Sequence, residues 1–137
     1  ALDVHSPAVG RLAREVRRVA ADEVAAGVEL ASFDAAIVMS HHLVADGHYL
    51  AALARAPVPY VGLLGPAARR ERLYAEIGAE AAAGLRPRVR APVGLDLGGR
   101  TPEAIALSIV AEVQAALHDR RGEPFSTHLG RPNPEGG

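Results

Sequence analysis

Between Asp34 and Leu117 the hydrophobic pattern changes period several times. Ala35 to Met39 is a short unbroken apolar run that stops abruptly at Ser40, His41 and His42. A run this short with polar ends predicts a buried strand. Asp46 to Ala56 (DGHYLAALARA) then reads as a helix, and VPYVGLLG, rich in β-branched and aromatic residues, as a second strand. PAARRERLYAEIG predicts another helix, with Pro66 at its first position and Gly78 as its stop. After a loop, VRAPVGLDLGG is a weaker third extended segment. Thr101 then caps PEAIALSIVAEVQAAL, with Pro102 at the first helical position and Glu103 in the first turn. Ile105, Ile109, Val113 and Leu117 recur every fourth residue there and predict one buried stripe.

Strands alternating with helices predict parallel βα units, and so an α/β fold: a Rossmann-like parallel sheet with helices on both faces. The first third is ambiguous. Val9, Leu12, Val16, Val19 and Val24 have helical spacing, while a strand at Glu15 to Val19 followed by a helix capped near Asp22 is the competing reading. The opening ALDVHSP reads as the end of a strand that begins upstream, as if the N-terminal strand–helix unit were lacking. Residues after Leu117 are aperiodic and rich in Pro and Gly, so the expected organisation is one domain over 1–118 and a flexible tail over 119–137.

Composition narrows the chemistry. With 137 residues and only 4% aromatics, the core must be assembled from Ala, Val, Leu and Ile. No apolar run approaches the roughly 18–20 residues of a membrane span. A net charge of −1 provides no general attraction for nucleic acid. All 15 basic residues are Arg, each suited to planar two-pronged contacts with carboxylate or phosphate. The absence of Cys excludes disulfides, thiolate zinc sites and a cysteine nucleophile within these residues, and fits a cytoplasmic setting.

In open α/β sheets ligands bind beyond the carboxyl ends of the strands. That rule gathers Ser40, His41 and His42 after one strand, Gly62 and Gly65 after the next, and Asp96, Gly98 and Gly99 after the third, with Asp3 as a further candidate. Two of these loops enter helices, whose N-termini carry free N–H groups and about half a positive charge. Arg69 and Arg70 follow one and Arg100 precedes the other, a pattern suited to a small phosphate-bearing ligand. Each feature also has a structural counterpart: glycines serve tight junctions, and Arg69, Arg70 and Arg72 with Glu71 and Glu76 can form an ion-paired helix face. Adjacent histidines on an extended segment point to opposite sides, so no metal site is expected from His41, His42 and His48. GxSxG, GxGxxG and GxxxxGK[ST] are all missing.

VMSHH with the following D and YL, YVGLLGPAARRERL, and PVGLDLGGRTPEAIALSIVAEV, in this order and at these spacings, closely resemble the C-terminal domain of the XdhC/CoxI family. The resemblance is firm from Asp34 to about Leu117 and looser from Asp3 to Phe33. It implies a Rossmann-like domain of an accessory protein that binds molybdenum cofactor and delivers it to an apo-molybdenum hydroxylase of the xanthine dehydrogenase type. It carries no turnover of its own in that reading. A cysteine desulfurase as sulfur donor and a homo-oligomer are further implied partners. Asp3 falls where the family has the acid after its second strand, which favours a strand at 15–19. His41, His42, Asp46 and Asp96 become candidates for a pterin edge or metal-oxo group, and Arg69 and Arg70 for a phosphate. Members generally carry a separate N-terminal domain with a Cys-containing motif, which these residues lack. The alternatives are an NAD(P)-binding oxidoreductase domain and a dimerisation or docking domain that binds no small molecule.

Overall fold

The computed structural model describes residues 12–128. Its backbone forms strand β1 (Ala35–Val38), β2 (Tyr60–Leu63) and β3 (Val89–Arg90). The helices are α1 (Val24–Gly27), α2 (Leu43–Ala54), α3 (Ala67–Ile77), α4 (Ala79–Leu85) and α5 (Pro102–Leu117), with short 3-10 turns at Ala21–Glu23, Leu30–Ser32 and Phe125–His128. The strands make a parallel sheet in the order β1-β2-β3. This is a small Rossmann-like α/β arrangement. The chain divides into two compact units, one running to Val93 and one starting at Gly94.

In the first unit the pleat decides where the core sits. Side chains alternate between the two faces of a strand. Ala36 pairs with Val61 and Val38 with Leu63, so these four share one face, where they meet the helices. Leu50 and Leu53 from α2, Leu73 and Tyr74 from α3, and Ala82 and Leu85 from α4 complete that core. Leu50, Leu63, Leu73 and Leu85 retain 0% exposure. Fully burying each such leucine contributes about 1.5–3 kcal/mol. The other face takes Ile37, Tyr60 and Gly62. A Cβ on Gly62 would fall 2.5 Å from Val93 Cγ2 and 2.8 Å from Ile37 Cδ1, so the strand must be bare there.

Several expectations are corrected. Residues 15–20 form neither strand nor helix. Arg17 bonds instead to Glu15 and to the Gly27 carbonyl, and Val19 lies against Gly27, so this segment packs on α1 rather than joining the sheet. Helix α2 starts at Leu43, earlier than Asp46, because extended His42 is its N-cap and its carbonyl accepts from Asp46 N–H. The expected loop after Gly78 holds α4, whose sequence AEAAAGL has too few large apolar residues to show a period. In α5 Ile109 is buried, but Ile105 and Leu117 are 40% and 42% exposed. A row of fourth residues drifts around a helix by about 40° per step, so its two ends cannot share one buried face. The second unit holds Gly94 N–H against the Glu112 carboxylate and Leu95 against Ser108, as the Ser108 hydroxyl donates to the Leu95 carbonyl. Thr101 caps α5 as expected, accepting from Ala104 N–H at 3.2 Å.

Arg88 closes the end of the sheet opposite the strand-end loops. Its guanidinium donates to the carbonyls of Ala56 and Val58 at 2.8 Å and of Leu53 and Gly84 at 3.1 Å. Leu53 and Gly84 lie in the last turns of α2 and α4, where carbonyls have lone pairs that the helix itself leaves unused. One side chain therefore ends two helices and fixes the loop into β2. Arg88→Ala is expected to lower stability by about 2–3 kcal/mol, read as a lower urea midpoint at unchanged slope.

Tyr74 packs in the helix-side core under Arg86, whose guanidinium carbon lies 4.6 Å from the ring centroid. Burial raises its phenol pKa, with Arg70 and Arg86 opposing. A raised folded-state value means that the fold favours the neutral phenol. The stability this contributes is complete below about pH 10 and is lost as pH rises through the raised value. Tyr74→Phe is expected to flatten the alkaline limb of a stability–pH profile.

Candidate functional site

The carboxyl ends of β1 and β2 are joined by one polar lock. Asp46 lies in the first turn of α2 and is completely buried. Its Oδ2 accepts from Arg69 Nη2 at 2.7 Å, and its Oδ1 accepts from the Ser40 hydroxyl at 2.5 Å and from Ser40 N–H at 3.3 Å. Ser40 belongs to the loop after β1 and Arg69 to the first turn of the helix after β2. A buried carboxylate survives only with its charge paired and its lone pairs used, and here both needs are met across two loops.

Local backbone makes this possible. Gly65 has φ 128, and a Cβ there would fall 2.8 Å from Arg69 Cδ. A side chain at 65 would therefore be strained and would push the arginine stem away from Asp46. On the β1 side, His41 takes the left-handed conformation, φ 62, between Ser40 and the N-cap His42. That conformation is unfavourable for a non-glycine residue by roughly 1–2 kcal/mol. His42 N–H donates to the Ser40 hydroxyl oxygen at 3.2 Å. Both imidazoles are exposed.

The candidates thus separate by what surrounds them. His41 and His42 stand in solvent at the end of β1. Asp46 and Arg69 hold each other. Arg70, half-buried, donates to Glu71 at 3.1 Å and to the Ala91 carbonyl at 3.3 Å, tying α3 to the residue after β3. Gly62 is enclosed within β2, and Gly65 makes room for Arg69. Asp96 and Gly98 are exposed in the second unit, Gly98 with φ 82. Asp3 lies outside the described residues. The N-cap of α3 is Pro66, which has no capping side chain, so the first N–H groups of that helix meet no side-chain acceptor. Among the described residues no group of three or more His, Asp or Glu is placed to hold a metal ion, and no helix is long and apolar enough to cross a membrane.

Two residues carry more than the pattern of the chain announced. Ser40 was visible as part of the strand-end loop, but its partnership with Asp46 was not. Arg88 gave only one signal, a cation shortly after a run of small helix-forming residues. Removing the charge of the lock by Asp46→Asn leaves Arg69 facing a neutral amide. A loss of about 2–4 kcal/mol is expected in urea unfolding, with Arg69→Met costing at least as much, because it strands the buried Asp46 carboxylate whereas Arg69, with 23% exposure, can still reach water.

The family profile of the XdhC Rossmann domain matches residues 4–113. A Bacillus subtilis (strain 168) protein described as a probable subunit of xanthine dehydrogenase is 39% identical over 82 residues, which are 58% of this chain and 22% of that protein. A crystal structure described as a xanthine dehydrogenase from Bacillus halodurans superposes with a TM-score of 0.61 at 28% identity, covering 82% of this chain and 32% of that one. The chain therefore spans about a fifth to a third of the relatives it matches. With the profile covering most of its residues and a solved relative superposing over 82% of them, this chain belongs to the XdhC Rossmann-domain family.

Proposed function

We propose that this chain is the Rossmann-like part of a cytoplasmic accessory protein for a molybdenum hydroxylase of the xanthine dehydrogenase type, binding molybdenum cofactor and passing it to the apo-enzyme. Membership of the XdhC Rossmann-domain family is the observation that carries this reading. The chemistry of the strand-end loops supports it. Molybdenum cofactor is a pterin with a phosphate, and it brings its metal already chelated by a dithiolene, so no side-chain cage is required of the protein.

The residues fit such a ligand in divided roles. His41 and His42, exposed at the end of β1, offer ring nitrogens to the polar edge of a pterin. The uncapped first turn of α3 offers backbone N–H groups and the positive end of its dipole to a phosphate. Asp46, Ser40 and Arg69 act through position: they hold the two loops in register, so histidines and helix end keep a fixed separation. Arg70 supports the same helix from its other side through Ala91.

The test is co-elution of pterin fluorescence with the purified chain on gel filtration, with NADH and NADPH as competitors. Bound cofactor is expected, with His42→Ala weakening it about tenfold, the equivalent of one lost hydrogen bond of ~1.4 kcal/mol. Binding of NAD(P)H in place of the pterin would instead assign the site to a dinucleotide. Retention of neither ligand would remove these loops from cofactor handling.

A further inference from the structure

Among the described residues other than glycine, His41 (φ 62) and Asp119 (φ 53) take the left-handed conformation. Asp119 stands just beyond the C-cap of α5, where a left-handed residue is an ordinary way to end a helix. His41 has no such reason, for it lies between a strand and the N-cap of the next helix. Its ring is exposed and makes no hydrogen bond or ion pair among the described residues, so nothing at the residue itself offsets the cost of its backbone. Asp46 imposes that backbone from a distance. Ser40 delivers its N–H and hydroxyl to the buried carboxylate, and His42 stays extended to cap α2, which leaves residue 41 to make the turn.

The segment held in this way is lightly fastened. Core packing stops at Val38 and resumes at Leu43. Between them Met39, His41 and His42 are exposed and Ser40 is half-buried. Ser40 and His42 bond to Asp46 and to each other. We propose that residues 39–42 form a strained strap with two states. It is closed while the Asp46–Arg69 pair holds Ser40, and it opens, with residue 41 relaxing to negative φ, when that pair parts. The strain at His41 favours the open state and the buried carboxylate favours the closed one, so their balance decides how often the two histidines stand as they do here. Opening is local, because the sheet beneath is held by its own core and by Leu64 N–H on the Val38 carbonyl at 3.0 Å. Within the pair Arg69 keeps 23% exposure and Asp46 1%, so solvent works on the lock from the arginine side. The device holds whichever ligand these loops take.

Amide hydrogen exchange of the full chain, followed by NMR, tests this. Ser40 and His42 N–H, both bonded within the strap, report its opening, and Leu64 N–H reports the sheet. The strap amides are expected to exchange at least about tenfold faster than Leu64. His41→Gly, which removes the cost of a left-handed residue, is expected to slow them about five- to thirtyfold. His41→Ala, which removes the imidazole and keeps the strain, is expected not to slow them. In Asp46→Asn the strap stands open, and adding His41→Gly is expected to bring no slowing. Should Asp46→Asn not fold, Ser40→Ala cuts the lock more mildly and is expected to shrink the slowing from His41→Gly, read at the amide of residue 40. Strap amides as protected as Leu64 would overturn the local opening. Equal effects of the two substitutions at position 41 would mean that its backbone stores no strain. A slowing from His41→Gly that is the same with and without an intact lock would mean that the lock does not hold that strain, and either result sinks the proposal.

Discussion

A carboxylate taken fully out of water stays charged only where its charge is answered at contact distance. Asp46 is such a group, and the geometry of the strand-end loops follows from satisfying it. Ser40 must bring both its N–H and its hydroxyl to one oxygen, which sets the direction in which the chain leaves β1. His41 then has to turn through a left-handed conformation for His42 to reach the N-cap of α2. Arg69 must cross back over Gly65 to reach the second oxygen, which fixes the angle at which α3 leaves β2. The two loops that present the histidines and the helix end are thus consequences of one buried charge.

Much of this fold was legible in the chain because its signals are local. Pro66, Gly78, Thr101 and Pro102 mark helix ends through their own backbone chemistry, and apart from α4 the elements from β1 to α5 appear in the expected order. Where reading failed, the missing information was distant or weak. Helix α4 is built from small residues that leave no period, and the Glu15–Val19 segment follows contacts with Gly27 that its own pattern does not encode. The position of the candidate loops was legible from the strand-end rule. Which of their polar groups face a ligand and which face each other was not, since Arg69, the cation that answers Asp46, lies 23 residues away.

Two glycines show how bare backbone serves this protein. Gly65 clears a path for a side chain of its own loop, while Gly62 leaves room over the middle strand for Ile37 and for Val93. Both side chains crowd the space a Cβ on the middle strand would take. The end of β1 and the residues after β3 are linked through β2, by the ladder on one side and by Val93 N–H donating to the Leu63 carbonyl on the other.

The arginine at the other end of the sheet is held in a different manner. Four peptide oxygens surround the Arg88 guanidinium, two of them from helix ends. Peptide oxygens do not titrate, and a guanidinium stays protonated at any pH in which proteins live. Contacts with dipoles at hydrogen-bond range are also little weakened by dissolved ions, in contrast to separated surface charges. One end of the sheet is thus fastened by a device indifferent to acid and brine, so the junction of α2, α4 and β2 stays closed through changes of medium that would loosen an exposed ion pair.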